Sequence, residues 1–121
     1  MRIMLVDDSQ TMRNVQKKIL AGLGYTDIVE ASDGLDALSK VGAAKPELIL
    51  LDWNMPNLDG MGFLQKFRLK DKTTLILMVT TESEKTRVVD AIKAGVNNYL
   101  VKPFMPEDLK AKIEATLARA A

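Results

Sequence analysis

The chain is predicted to fold as an α/β domain, a doubly wound parallel sheet built as (βα)5. Three observations point there: five short apolar runs recur along 121 residues, stretches of helical periodicity separate them, and glycine, proline and capping residues punctuate the joins. Strands that alternate with helices imply parallel pairing, because each crossover is right-handed and has to cover apolar strand surface. Residues 1–121 fit one domain with a core of its own.

The first run, Ile3 to Val6, reads as a strand, and Ser9 is placed to cap the helix after it. That helix carries Met12, Val15, Ile19 and Leu23 at spacings of three, four and four, and Gly22 and Gly24 can end it. Ile28 to Val29 with its flanks makes the second strand, followed by a helical stripe of Leu35, Leu38 and Val41. Leu48 to Leu51 is the third strand, and Met61, Leu64 and Phe67 mark the helix beyond it. Leu75 to Val79 is the fourth, with Val88 and Ile92 on the next helix. Tyr99 to Val101 closes the set of strands. Pro106-Glu107-Asp108 then opens the last helix with proline and acids in its first turn, and Leu109, Ile113 and Leu117 form its stripe. Runs as continuously apolar as ELILLD and LILMVT suit the middle of the sheet.

Composition excludes several functions. The 17 basic and 16 acidic residues leave a formal charge of +1, so the chain lacks the basic field of a nucleic-acid binder. Cysteine and histidine are both absent, which removes thiolate metal sites, the commonest zinc ligand and any Ser-His-Asp triad. MRIMLV is too short to be a signal peptide or a membrane span, and a cytoplasmic location is the default expectation. No G-x-x-x-x-G-K-[ST] loop is present to hold a nucleotide.

Ligands of doubly wound sheets sit beyond the carboxyl ends of the strands, where strand order reverses. The residues there are Asp7 and Asp8 after the first strand, Asp52 after the third, Thr80 after the fourth and Lys102 after the fifth. The second strand ends less informatively, in Glu30, Ala31 and Ser32. If the first and third strands are neighbours at the switch point, three carboxylates converge. With Lys102 they carry two net negative charges, which one divalent cation cancels. Mg²⁺ suits such a site, since it takes oxygen ligands from one or two carboxylates together with phosphate oxygens. Asp52 can then serve as a nucleophile on phosphorus, Lys102 can hold a phosphoryl oxygen, and Thr80 can donate to another.

Each residue alone has a plainer reading. Asp8 before Ser9 can belong to helix capping, Asp52 to a turn, Lys102 to a solvated loop and Thr80 to an ordinary strand. Those readings leave unexplained why all four strand ends carry mutually matching chemistry. A flavodoxin-like FMN carrier would share the architecture, but Asp7 and Asp8 would repel its phosphate. A phosphatase with an aspartate nucleophile would typically carry an acid two residues on, where this chain has Asn54. A purely structural interaction domain would not need Asp52 and Lys102 intact.

The segments LVDDS, LLDWNMPNLDG, MVTTES and GVNNYLVKPF resemble the receiver domain of two-component response regulators, over essentially the whole chain. WNMP and Tyr99 are most similar to regulators of chemotaxis that consist of a receiver alone, and no output domain is expected after Ala121. The resemblance implies a flavodoxin-like fold with strand order 2-1-3-4-5. It implies Asp52 as phosphoacceptor, Mg²⁺ held by Asp7, Asp8, Asp52 and the backbone carbonyl of Asn54, and phosphoryl contacts from Thr80 and Lys102. Tyr99 matches the aromatic switch position, Asn54 and Glu82 match positions that tune dephosphorylation, and the Lys102-Pro103 bond is expected to be cis. One departure is the entry to the fourth strand through Lys72-Thr73-Thr74, where many relatives have proline.

The implied partners are a sensor histidine kinase, whose phosphohistidine is the donor, and a flagellar motor switch protein. A role in a phosphorelay or in kinase feedback is the alternative. The chain is expected to be a monomer that binds neither nucleic acid nor membrane. It is expected to catalyse only its own phosphorylation and dephosphorylation, and thus not to be an enzyme toward other substrates.

Overall fold

The computed structural model describes residues 1–120. Five strands, β1 (Ile3–Val6), β2 (Ile28–Ala31), β3 (Leu48–Leu51), β4 (Leu75–Thr80) and β5 (Asn98–Val101), alternate with five helices. The helices are α1 (Gln10–Gly22), α2 (Gly34–Ala44), α3 (Gly60–Phe67), α4 (Lys85–Ala94) and α5 (Pro106–Ala120). All strand pairs are parallel, and the order is β2-β1-β3-β4-β5. The doubly wound (βα)5 architecture and its strand order are as expected.

Alternation along each strand divides the core in two. Met4, Val6, Ile49, Leu51, Ile76 and Met78 point to the face covered by α2, α3 and α4, where Ala37, Phe63, Phe67 and Ala91 meet them. Ile3, Leu5, Leu48, Leu50, Leu77 and Val79 point to the other, against Leu20 of α1 and Leu109 and Ile113 of α5. Each fully buried aliphatic side chain contributes roughly 1.5–3 kcal/mol relative to an exposed one. A sheet covered on both sides therefore explains why its central strands are apolar throughout. Among the described residues, no helix is long and apolar enough to cross a membrane.

Helix limits follow the capping chemistry. Ser9 accepts from the Met12 amide, Asp33 from Asp36 and Asp59 from Gly62. Helix faces depart from the expected stripes in three places. The buried residues of α1 are Arg13, Gln16 and Leu20, one position on from Met12, Val15 and Ile19, and Val15 is 44% exposed. One residue is about 100° of rotation. Polar Arg13 turns inward because its guanidinium finds buried and half-buried acceptors there, described below. In α2 and α4 the residues turned fully inward are the small Ala37 and Ala91, leaving Leu35 and Ile92 more than half exposed.

The turn from Asp52 into α3 requires glycine at position 60. Its amide donates to the Trp53 carbonyl at 2.8 Å, and a Cβ there would lie 2.9 Å from the Trp53 Cα and collide with the Asp52 carbonyl oxygen. Gly60→Ala should therefore lower stability by about 2 kcal/mol, as overpacking against backbone does. Urea denaturation measures this. An unchanged midpoint would contradict the close approach.

Candidate functional site

Register builds the site. Val6 pairs with Leu51, so the next residues, Asp7 and Asp52, leave adjacent strands side by side; the Asp52 amide donates to the Val6 carbonyl at 2.9 Å. Thr80 pairs with Val101, and the Lys102 amide donates to the Thr80 carbonyl at 2.8 Å. Lys102 thus starts two strands away from Asp52, and its long side chain crosses the end of β4. Its Nζ donates to Asp7 Oδ2 at 2.8 Å and to Asp52 Oδ2 at 3.1 Å. The Lys102-Pro103 peptide bond is cis.

The other carboxylate oxygens are held by backbone. Asp7 Oδ1 accepts from the Ser9 amide at 2.8 Å, and Asp52 Oδ1 from the Trp53 amide at 2.7 Å. Asp7 and Asp52 are buried, whereas Asp8 is exposed at the mouth. One oxygen from each of Asp7, Asp8 and Asp52 lies within 4.8 Å of the others. An all-oxygen set of this kind, carrying excess negative charge, fits a hard divalent cation such as Mg²⁺.

Burial alone would pull the Lys102 ammonium below the ordinary lysine value of 10.5, but the hydrogen bond to Asp7 and the charges of Asp52 and Asp7 outweigh it and hold it above. The stabilisation from this pairing is fully present below the unfolded lysine pKa. It is lost only as pH rises through the raised folded value, so the site keeps its lysine charged at neutral pH.

Thr80 is fully buried, and its Oγ1 accepts a long hydrogen bond of 3.4 Å from the Glu82 amide. The Glu82 carbonyl accepts from the Tyr99 hydroxyl at 2.7 Å, and its carboxylate accepts from Asn54 Nδ2 at 3.2 Å. Tyr99 is only 8% exposed and its hydroxyl reaches the Glu82 carbonyl, so its ring lies inward. Desolvation, with the charges of Glu82 and Asp52, pushes its phenol up to about 12. The expected site residues, Asp7, Asp8, Asp52, Asn54, Thr80, Glu82, Tyr99 and Lys102, are thus brought to one end of the sheet.

Three neighbours were missed from sequence. Gly60 supports the Asp52 turn, and the DG pair was its only signal. Arg87 of α4 lies over the Trp53 ring at 5.3 Å from its centroid. Arg13 donates to the Asp7 backbone carbonyl, a contact with no signature in hydropathy.

A family model described as the response regulator receiver domain matches residues 3–114. The chain belongs to the response regulator receiver family. This receiver is 46% identical to the chemotaxis protein CheY1 of Helicobacter pylori over 120 residues, covering 97% of both chains. It is 40% identical to the chemotaxis protein CheY of Pseudomonas aeruginosa, covering 98% of each. The solved structure of chemotaxis protein CheY4 from Vibrio cholerae superposes on this receiver with a TM-score of 0.85 at 35% identity, covering 99% of this chain and 98% of that one.

Proposed function

We propose that this receiver accepts a phosphoryl group on Asp52 and works as a phosphorylation-activated switch in chemotaxis. The observation that carries the reading is the convergence of Asp7, Asp8 and Asp52 within 4.8 Å, with Lys102 Nζ on both buried members. The names of the relatives at 40–46% identity support chemotaxis. Asp7, Asp8, Asp52 and the Asn54 carbonyl would hold Mg²⁺, which when bound neutralises charge on the phosphoryl oxygens.

A carboxylate oxygen of Asp52 attacks phosphorus and forms an acyl phosphate bond. The bond from phosphorus to the donor breaks, and the leaving group, a histidine nitrogen of a sensor kinase or an acylate, takes the electron pair. Negative charge then moves outward from the Asp52 carboxylate to the phosphoryl oxygens. Lys102 follows that charge, and Thr80 donates its hydroxyl to one oxygen. Asn54 and Glu82, bonded to each other over the mouth, control the approach of water and so the lifetime of the acyl phosphate. The only turnover is of the protein's own phosphoryl group.

The switch runs through Thr80, Glu82 and Tyr99. The Tyr99 ring lies inward, held by the Glu82 carbonyl. Phosphorylation therefore acts on that hold: when Thr80 turns toward a phosphoryl oxygen, Glu82 loses its 3.4 Å bond and the loop repositions. The partner surface is α4, β5, α5 and the loop that joins the last two, where Val89, Ile92, Val101 and Met105 are exposed apolar residues, and the partner is the flagellar motor switch. One hydrogen bond to a charged acceptor is worth about 1.5–3 kcal/mol, or roughly 10- to 150-fold in an equilibrium. Thr80→Ala should accept phosphate yet lose most of the phosphorylation-dependent gain in partner affinity. An undiminished gain in the mutant would break the coupling.

Trp53, the only tryptophan, adjoins Asp52 and tests the metal site. Its emission should change on titration with Mg²⁺, and Asp8→Asn should suppress the change. No response in the wild type, or the same response in the mutant, would count against Mg²⁺ here.

A further inference from the structure

We propose that Arg13 is a positioning residue for the cation site, fixing the Asp7-Asp8 peptide so that Asp8 stays within reach of Asp7 and Asp52. This rests on the Mg²⁺ reading above. The Arg13 side chain is only 10% exposed. It donates in three directions: Nη1 to the Asp7 backbone carbonyl, Nε to Glu30 Oε1 at 3.0 Å, and Nη2 to Gln10 Oε1 at 2.8 Å. Only a guanidinium fork, planar and rich in donors, satisfies all three at once.

The Asp7 carbonyl belongs to the peptide that leads into Asp8, so its orientation sets the direction in which Asp8 leaves the strand. Asp8 has little else to direct it. Its side chain is exposed and, among the described residues, has no hydrogen bond, whereas Asp7 is tied through both carboxylate oxygens. Glu30 in turn anchors Arg13 and also accepts from Lys17 at 3.0 Å, which ties the outer strand β2 and α1 to the loop that carries Asp8. Groups that orient metal ligands from behind are commonly worth 10- to 100-fold in metal affinity.

Charge and geometry predict opposite signs, which makes the proposal testable. Removing a cation near an acidic site would by Coulomb attraction alone tighten Mg²⁺ binding. Loss of positioning weakens it. Calorimetric titration of the intact protein with Mg²⁺ should give dissociation constants about 10- to 100-fold weaker for Arg13→Met, at a temperature where circular dichroism confirms the fold. Arg13→Lys keeps the charge and much of the stem but can make only part of the fork, so it should weaken binding in the same direction. It also serves if Arg13→Met fails to fold. Unchanged or tighter binding in a folded variant overturns the proposal, even with a lowered melting temperature, because a merely structural arginine would leave the affinity of the folded protein alone. A wild type that binds no Mg²⁺, or binds it as Asp8→Asn does, removes the underlying metal reading and the proposal with it.

Discussion

Asp52→Asn is expected to take up no phosphate from a small acyl-phosphate donor while remaining folded. The carboxamide keeps the shape of the side chain and an oxygen to accept from the Trp53 amide, now 2.7 Å from Asp52 Oδ1. It loses the anionic oxygen that attacks phosphorus. Stability should change by no more than about 1 kcal/mol, since the lost contact to Lys102 is offset by relief of repulsion among three crowded carboxylates. Intact-mass spectrometry after incubation with donor and Mg²⁺ reads the first expectation, and urea denaturation the second. Phosphate uptake by the folded mutant at the wild-type rate would remove Asp52 from the mechanism.

Lys102→Met should do damage of a different kind. It leaves Asp7 and Asp52, both buried, without the ammonium that now sits 2.8 and 3.1 Å from them. Removing one partner of a buried ion pair typically costs 3–5 kcal/mol; with the exposed mouth beside it admitting water, the loss here should be about 3 kcal/mol. Saturating Mg²⁺ should restore much of that, because a dication supplies the missing charge. Phosphate uptake should stay at least about a hundredfold below wild type even then, as happens when one preorganised donor to a developing anion is deleted. Denaturation with and without Mg²⁺, beside a timed phosphorylation assay, separates the two effects. A mutant as stable as wild type without metal would mean that the buried carboxylates do not need Lys102.

The strands and their chemistry were legible because the two signals coincide: each apolar run stops at a polar residue, and in a parallel sheet those stops share one edge. Asp7, Asp52, Thr80 and Lys102 could be found in this way from spacing alone. The strand order came from the family resemblance, since nothing in the periodicity says that β1 lies between β2 and β3. Helix faces were less legible. Val15 is as apolar as any core residue, yet it faces outward because Arg13 and Gln16 occupy the inner face of α1. What turns Arg13 inward is a set of acceptors, the Asp7 carbonyl with the Glu30 and Gln10 side chains, and hydropathy holds no record of them. Gly60 was hidden for a similar reason: a close backbone approach to Asp52 and Trp53 is a tertiary fact.

The most direct measurement locates the phosphoryl group itself. Wild-type protein is incubated with an acyl-phosphate donor with and without Mg²⁺, the acyl phosphate is reduced with borohydride to mark its position, and the digested peptides are sequenced by mass spectrometry. The account predicts a single modified residue, Asp52, marked with Mg²⁺ and scarcely at all without it. A mark on Asp7, Asp8 or another residue, or equal marking without Mg²⁺, would contradict it.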